Sequence, residues 1–147
     1  MTRVLALSLL LLPLSGFAQT SSLLESARSG LSGSLAGSME DVLDITGDQA
    51  EGGIGSVLTL ARENLSADDF GRLTNMIPGA DGYLGAAKSL GAVTGPLKSL
   101  SGLNESLARL GMSPETVNRF VPTMSELLSK VGGDEARHLL ETALRGG

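Results

Sequence analysis

Apolar residues recur every three or four positions from Met39 to the end of the chain, and glycine or proline interrupts each run. This spacing places the apolar side chains on one face of successive α-helices. No run alternates apolar and polar residues over the length of a strand. The pattern therefore predicts an all-α fold, a compact bundle of about six to seven short helices. The positions expected to face the core are Val42, Leu43, Ile45, Ile54, Val57, Leu58, Ala61, Leu65, Phe70, Leu73, Ile77, Tyr83, Leu84, Ala87, Leu90, Leu97, Leu100, Leu103, Leu107, Leu110, Val117, Phe120, Val121, Met124, Leu127, Leu128, Val131, Ala136, Leu139, Leu140 and Ala143.

Capping residues predict where several of these helices begin and end. Gly47 is expected to end the first helix, because glycine readily adopts positive φ, and Asp48 is expected to cap the next one. Ser66 and Ser113-Pro114 predict two further helix starts. Gly132-Gly133 predicts a break before a last helix. Pairs expected to form weak surface salt bridges four residues apart are Asp68–Arg72, Glu105–Arg109, Glu126–Lys130 and Glu141–Arg145.

The first 18 residues have the pattern of a secretory signal peptide. Arg3 precedes an apolar run from Val4 to Leu12 that is too short to cross a bilayer comfortably. Gly16 and Ala18 then supply the small residues that a signal peptidase accepts. We therefore expect cleavage after Ala18 and a periplasmic or secreted location for the mature protein.

Residues 19–38 form a Gly/Ser-rich arm with a sparse series of Leu and Ala at roughly helical spacing. Each glycine makes a helix about 1 kcal/mol less stable than alanine would. The composition therefore fits either a frayed, conditional helix or a free linker. The domain division expected from the sequence is thus a signal peptide at 1–18, an arm at 19–38 and a helical domain at 39–147.

Composition narrows the classes of partner. Removing 18 of the 147 residues, including one Arg, leaves 129 residues with 10 Lys and Arg against 16 Asp and Glu. This acidic balance, with one Tyr and three Phe in the whole chain, disfavours nucleic acid as a partner. Beyond residue 18 no apolar run is long enough to span a membrane. Because the chain has no Cys, we expect neither disulfides nor thiolate metal ligands.

Several short motifs carry a resemblance to a known family. They are Gln49-Ala50-Glu51-Gly52-Gly53, Asn64-Leu65-Ser66 with Asp69-Phe70, Ile77-Pro78-Gly79-Ala80-Asp81-Gly82, and Phe120-Val121-Pro122. In these motifs the chain resembles the VcgC/VcgE-type domain of unknown function found in exported proteins of Gram-negative bacteria. The resemblance extends roughly from Asp44 to Leu144. It implies a periplasmic helical domain and assigns no catalytic or binding residue.

The glycine-rich stretch Gly52-Gly53-Ile54-Gly55 superficially resembles a phosphate-binding loop. It lacks a preceding strand and a following Lys-Ser/Thr, and it does not match G-x-G-x-x-G. The alternative is that missing side chains allow neighbouring helices to pack closely. We favour that second interpretation.

The acidic residues and the single histidine are the other candidates for chemistry. Asp68 and Asp69 point about 100° apart on a helix, so N-terminal dipole stabilisation explains them better than an acid/base pair. A group with spacings of 3, 4 and 3 resembles a weak cation site but lacks the ligand pattern of a calcium loop. His138 is expected on a solvated face and cannot build a zinc site alone. The members of the spaced acidic group are Asp41, Asp44, Asp48 and Glu51.

These observations predict no catalytic, cofactor-binding or metal-binding residues and no cofactor. The leading expectation is a non-catalytic exported interaction module, whose arm orders against a partner protein. The alternative is a carrier that holds a small apolar ligand in a cavity between helices. A third class, a hydrolase with acidic residues brought together from distant helices, is one that the sequence alone does not refute, although no nucleophile motif is present.

Overall fold

The computed structural model describes residues 34–146. Within that range the chain forms six α-helices and no strand, which confirms the predicted all-α fold and the expected number of helices. The predicted signal peptide and residues 19–33 of the arm lie outside the described residues. The helices are α1 (Leu35–Leu43), α2 (Gly47–Asn64), α3 (Ala67–Met76), α4 (Ala80–Ser89), α5 (Leu100–Arg109) and α6 (Pro114–Arg145).

The first helix begins four residues before the start predicted for the helical domain. The hydroxyl of Ser34 caps α1 by accepting a hydrogen bond from the Gly37 N–H at 3.1 Å. Leu35 and Ala36 are only 5% and 1% exposed, so this end of the predicted arm belongs to the core. The sequence did not predict a helix start at Leu35, because Ser and Gly occupy most positions around the sparse apolar residues of 19–38.

The turn between α1 and α2 differs from the prediction. Asp44, rather than Gly47, adopts the left-handed conformation that ends α1, with φ of 54°. Gly47 is instead the first residue of α2, and Thr46 is its N-cap. Thr46 and Gln49 exchange two hydrogen bonds, of 3.1 and 3.2 Å, in a capping box. Asp48 therefore lies in the first turn, where its charge favours the helix dipole, and does not cap the helix.

The second helix lies at the centre of the bundle. It contacts all five other described helices, and every residue from 52 to 61 is buried. The predicted stripe from Ile54 to Ala61 is buried as expected, but Ser56, Thr59 and Leu60 on the remaining faces are buried too. The amphipathic pattern thus identified a core helix without revealing that it is surrounded on all sides.

Most of the other local predictions are confirmed. Ser66 and Ser113 cap α3 and α6, with Pro114 in the first turn of α6. The expected burial is wrong at a few apolar positions near helix ends, where the side chain lies at the surface. These exposed residues, with exposed fractions of 39–54%, are Val42, Leu90, Leu100 and Val131.

Polar side chains at both ends of α2 form hydrogen bonds with distant parts of the chain. Gln49 Nε2 donates to the carbonyl oxygen of Leu110, which follows α5, at 3.1 Å. Asn64 Nδ2 donates to the carbonyl of Ala143 in the last turn of α6 at 2.9 Å. Because helix-terminal carbonyls have no partner within their own helix, these bonds satisfy them and also set the position of α2 between α5 and α6.

Helix α6 is broken at the predicted place. Gly133 has φ of 70° and ψ of −166°, which no residue within a regular helix adopts. Val121 and Leu144 line one surface cleft, although in a straight helix 23 residues would separate them by about 35 Å. The two halves, residues 114–132 and 134–145, therefore fold back on each other as an antiparallel hairpin.

Candidate functional site

The glycine-rich stretch lies inside α2 and serves helix packing. A Cβ atom at Gly52 would lie 2.9 Å from Leu110 Cδ2 and 3.0 Å from Leu90 Cδ1. At Gly53 a Cβ would overlap the ring of Phe120. Real Cβ atoms rarely or never approach other heavy atoms this closely, so side chains that follow α4 and α5 and a side chain of α6 lie directly against the backbone of α2. The close-packing interpretation of this segment is confirmed.

Gly55 makes the tightest of these contacts. A Cβ there would overlap the carbonyl oxygen of Tyr83 and lie 2.8 Å from Ala87 Cβ. α2 and α4 therefore cross backbone to backbone. The Tyr83 side chain extends to α1, where its hydroxyl oxygen accepts a hydrogen bond of 3.4 Å from the Ala36 N–H.

The buried hydroxyls of α2 are used within the helix. Ser56 Oγ donates to the Gly52 carbonyl and Thr59 Oγ1 to the Gly55 carbonyl, both at 2.8 Å. In the described part of the chain, no buried side-chain nitrogen or oxygen lacks a hydrogen-bond partner. The buried hydroxyl groups of Ser56 and Thr59 thus donate their hydrogen bonds to the backbone of their own helix.

The acidic candidates and the histidine are spread over the surface. Among residues 34–146 no three His, Asp or Glu side chains are grouped closely enough to hold a metal ion. Asp41, Asp44 and Asp48 are exposed, and so is His138, on the solvated face expected for it. Asp68 and Asp69 lie in the first turn of α3, where the dipole interpretation places them, and Asp69 also accepts a hydrogen bond of 2.9 Å from Ser66 Oγ.

A surface cleft of about 460 Å³ runs between the two halves of α6. We refer to it as the hairpin cleft. The first half contributes small or apolar side chains and one carboxylate, and the second half contributes an ion pair and an apolar residue. The residues that line it are Val121, Pro122, Ser125, Glu126, Ser129, Arg137, Glu141 and Leu144.

Charged side chains frame the hairpin cleft. Arg137 Nε donates to Glu141 Oε1 at 2.9 Å, and the same carboxylate lies 3.8 Å from Arg145 Nη2. On the opposite half, Lys130 Nζ lies 3.9 Å from Glu126 Oε1. Two of the predicted salt bridges, Glu126–Lys130 and Glu141–Arg145, are thus present. Apart from the half-buried Glu141 their side chains are exposed, and each pair contributes at most about 1 kcal/mol.

Sequence reasoning identified the residues of the hairpin but not the cleft. Gly133 predicted the break, yet the direction in which the chain turns depends on contacts with other helices. One such contact is at Gly132, where a Cβ would lie 3.1 Å from Met76 Cβ of α3. The small residues Ser125 and Ser129, four positions apart on the same face, are the signal from which a shallow groove could have been anticipated.

Two smaller clefts, of about 400 and 240 Å³, flank the loop between α4 and α5. Both are lined by Thr94, Gly95 and Pro96 of that loop. The larger one also takes Arg62 and Lys88 from the last turns of α2 and α4.

No helix between residues 34 and 146 combines the length and apolar character needed to cross a bilayer.

Comparison with known proteins places the chain in a family. No curated protein and no solved structure matches it. A family model described as protein of unknown function VcgC/VcgE (DUF2780) matches residues 15–145. The match takes in all six helices and also extends upstream through residues 19–33, so it is longer than the resemblance found from the motifs. The chain therefore belongs to the VcgC/VcgE family of proteins of unknown function.

Proposed function

We propose that this protein is an exported, non-catalytic helical binding module that takes a polypeptide segment of a partner protein in the hairpin cleft. The observation that carries the proposal is the cleft itself, which lies between two helices joined at Gly133. Apolar contact is available from Val121, Pro122 and Leu144, and polar contact from the charged residues at the rim.

The shape of the hairpin cleft suits an elongated ligand. Its lining on the first half of α6 spans nine residues, from Val121 to Ser129, which corresponds to about 12 Å along the helix axis. A groove between two helices with small residues on its wall allows a third segment to approach closely, as in helix-in-groove recognition. The rim charges would then select the orientation of the bound segment.

The experiment compares two variants that introduce the same side chain on the same helix. Ser125→Arg places a long side chain in the hairpin cleft, whereas Asn118→Arg places it on exposed surface outside the cleft. We expect the mature protein and Asn118→Arg to retain the same specific partner from periplasmic extract, and Ser125→Arg to lose it. Equal melting temperatures for the two variants are the control for folding. Retention of the partner by folded Ser125→Arg contradicts the proposed site.

Export is the second part of the proposal, and it rests on the pattern of residues 1–18. Intact-mass measurement on protein recovered from the periplasm is expected to give a chain beginning at Gln19. A mass that retains Met1 to Ala18, or recovery of the protein only from the cytoplasm, contradicts export.

The carrier of a small apolar ligand stays a prediction from the sequence. No observation in residues 34–146 favours it, since the clefts described above lie at the surface and include charged residues in their lining. A ligand that is retained equally by the mature protein and by Ser125→Arg would support it.

A further inference from the structure

A second candidate site lies beside the loop between α4 and α5, away from the hairpin cleft. The cleft of about 400 Å³ at this place is lined by two cationic side chains, Arg62 and Lys88, and by the exposed loop residues Thr94 and Gly95. Such a cluster is unusual in a chain whose formal net charge is −5.

The two cations are only partly neutralised. Arg62 Nη2 lies 3.7 Å from Glu63 Oε1, which is too long for a strong hydrogen bond and leaves most guanidinium N–H groups available. Lys88 has no carboxylate within 4.0 Å in the described part of the chain. The cleft therefore holds two positive charges against one negative charge.

The loop adds hydrogen-bond donors. Arg109 Nη1 donates to Thr94 Oγ1 at 3.3 Å, in place of the salt bridge with Glu105 that the sequence predicted. Because the Thr94 oxygen accepts from a cation, the hydroxyl hydrogen stays free to donate to another acceptor. In residues 34–146, the backbone N–H groups of Thr94 and Gly95 also have no protein acceptor.

Three of the last four carbonyl groups of α4, which would otherwise repel an anion, accept hydrogen bonds. Leu90 N–H donates to Ala86 O at 2.9 Å, and Gly91 N–H donates to Lys88 O at 3.1 Å. Val93 N–H closes the turn by donating to Ala87 O at 3.1 Å. These bonds reduce the negative potential that a helix C-terminus normally presents.

From this arrangement we infer that the cleft beside Thr94 binds a small dianionic oxyanion, either a phosphate group or a dicarboxylate. Arg62 and Lys88 supply the charge, and the Thr94 hydroxyl and the loop N–H groups supply further donors. The site is exposed, so binding is expected to be weak and to fall with rising ionic strength.

The test is a titration of ¹⁵N-labelled mature protein followed by amide chemical shifts, at constant ionic strength. The probes are inorganic phosphate and succinate, with acetate and chloride as comparisons. We expect saturable shifts at Thr94 and Gly95 with a dianion and none with chloride. Saturation with phosphate alone assigns the site to phosphate groups, whereas saturation with succinate alone assigns it to dicarboxylates, and either result supports the inference.

Two lysine variants separate a specific site from general charge attraction. Lys88→Ala removes a cation from the cleft, whereas Lys98→Ala removes an exposed cation close by that lines neither of the two clefts at this loop. We expect Lys88→Ala to weaken binding about tenfold, the loss typical of one charge-assisted hydrogen bond, and Lys98→Ala to leave it nearly unchanged. An equal effect of both variants, or the absence of saturation with every probe, overturns the inference without bearing on the hairpin cleft.

Discussion

Gly55 of α2 lies directly against the backbone carbonyl of Tyr83 in α4, at a distance that leaves no room for a Cβ atom. Tyr83 in turn reaches α1 through its hydroxyl group. One glycine thus brings three helices together, since the crossing of α2 and α4 sets where the tyrosine side chain meets the backbone of Ala36. Glycines without a Cβ atom therefore contribute to the packing of this fold alongside its leucines.

The first prediction concerns this contact. Gly55→Ala should lower the free energy of unfolding by about 1–3 kcal/mol or more, because a methyl group would force the two backbones apart. Chemical denaturation followed by circular dichroism measures the change.

Gly85→Ala is the matched control, because Gly85 is an exposed glycine in α4 with open space around it. There the same substitution should stabilise the protein by about 0.5–1 kcal/mol, since alanine favours the helix. If both variants shift stability in the same direction, the close crossing at Gly55 is wrong.

The second prediction concerns Gly53 and Phe120. Gly53→Ala should destabilise the protein because its methyl group would overlap the buried ring of Phe120. In the double variant with Phe120→Leu, which removes the far end of the ring, the loss should be smaller than the sum of the two single losses by about 1 kcal/mol. A double-mutant cycle measures this coupling. Additive losses would show that the two residues do not touch.

The third prediction uses two apolar residues that the sequence placed in the core. Leu58 is fully buried in α2, whereas Val131 is 54% exposed in α6. Leu58→Asp should unfold the domain, because an unpaired buried charge costs several kcal/mol against a typical total stability of about 5–15 kcal/mol. Val131→Asp should change stability by less than about 1 kcal/mol. Helical content by circular dichroism distinguishes them, and a folded Leu58→Asp variant contradicts the central position of α2.

The fourth prediction concerns the N-terminal arm. A chain shortened to begin at Gly33 keeps the Ser34 cap and should melt close to a chain that begins at Gln19, while losing partner binding if residues 19–32 take part in recognition. A chain beginning at Met39 loses the buried side chains Leu35 and Ala36. Its melting temperature should fall by about 10 °C or more, since roughly 2–3 kcal/mol of apolar burial is removed.

Thermal melts and partner capture on the two shortened chains measure these effects. A large loss of stability in the chain that begins at Gly33 would make residues 19–32 part of the fold rather than a recognition segment.

Local signals in the sequence determined the class of the fold and many helix limits. Ser66 and Ser113 were identified as caps because a capping side chain bonds to a backbone N–H only three residues away. The turn at Asp44 was misassigned since Gly47 offers the same conformational freedom, and the capping box between Thr46 and Gln49 decided which residue opens the next helix.

Only the tertiary structure decided which helix lies at the centre, what the glycines contact and where a ligand could bind. A periodic apolar pattern in the sequence predicts only one buried face of a helix. The burial of Ser56 and Thr59 on the other faces depends on helices from distant parts of the chain. A glycine carries no side chain and so gives no hydrophobic signal, although Gly53 and Gly55 determine how closely α6 and α4 approach. The hairpin cleft likewise exists because the turn at Gly133 brings together residues far apart in sequence, a relationship that no local pattern encodes.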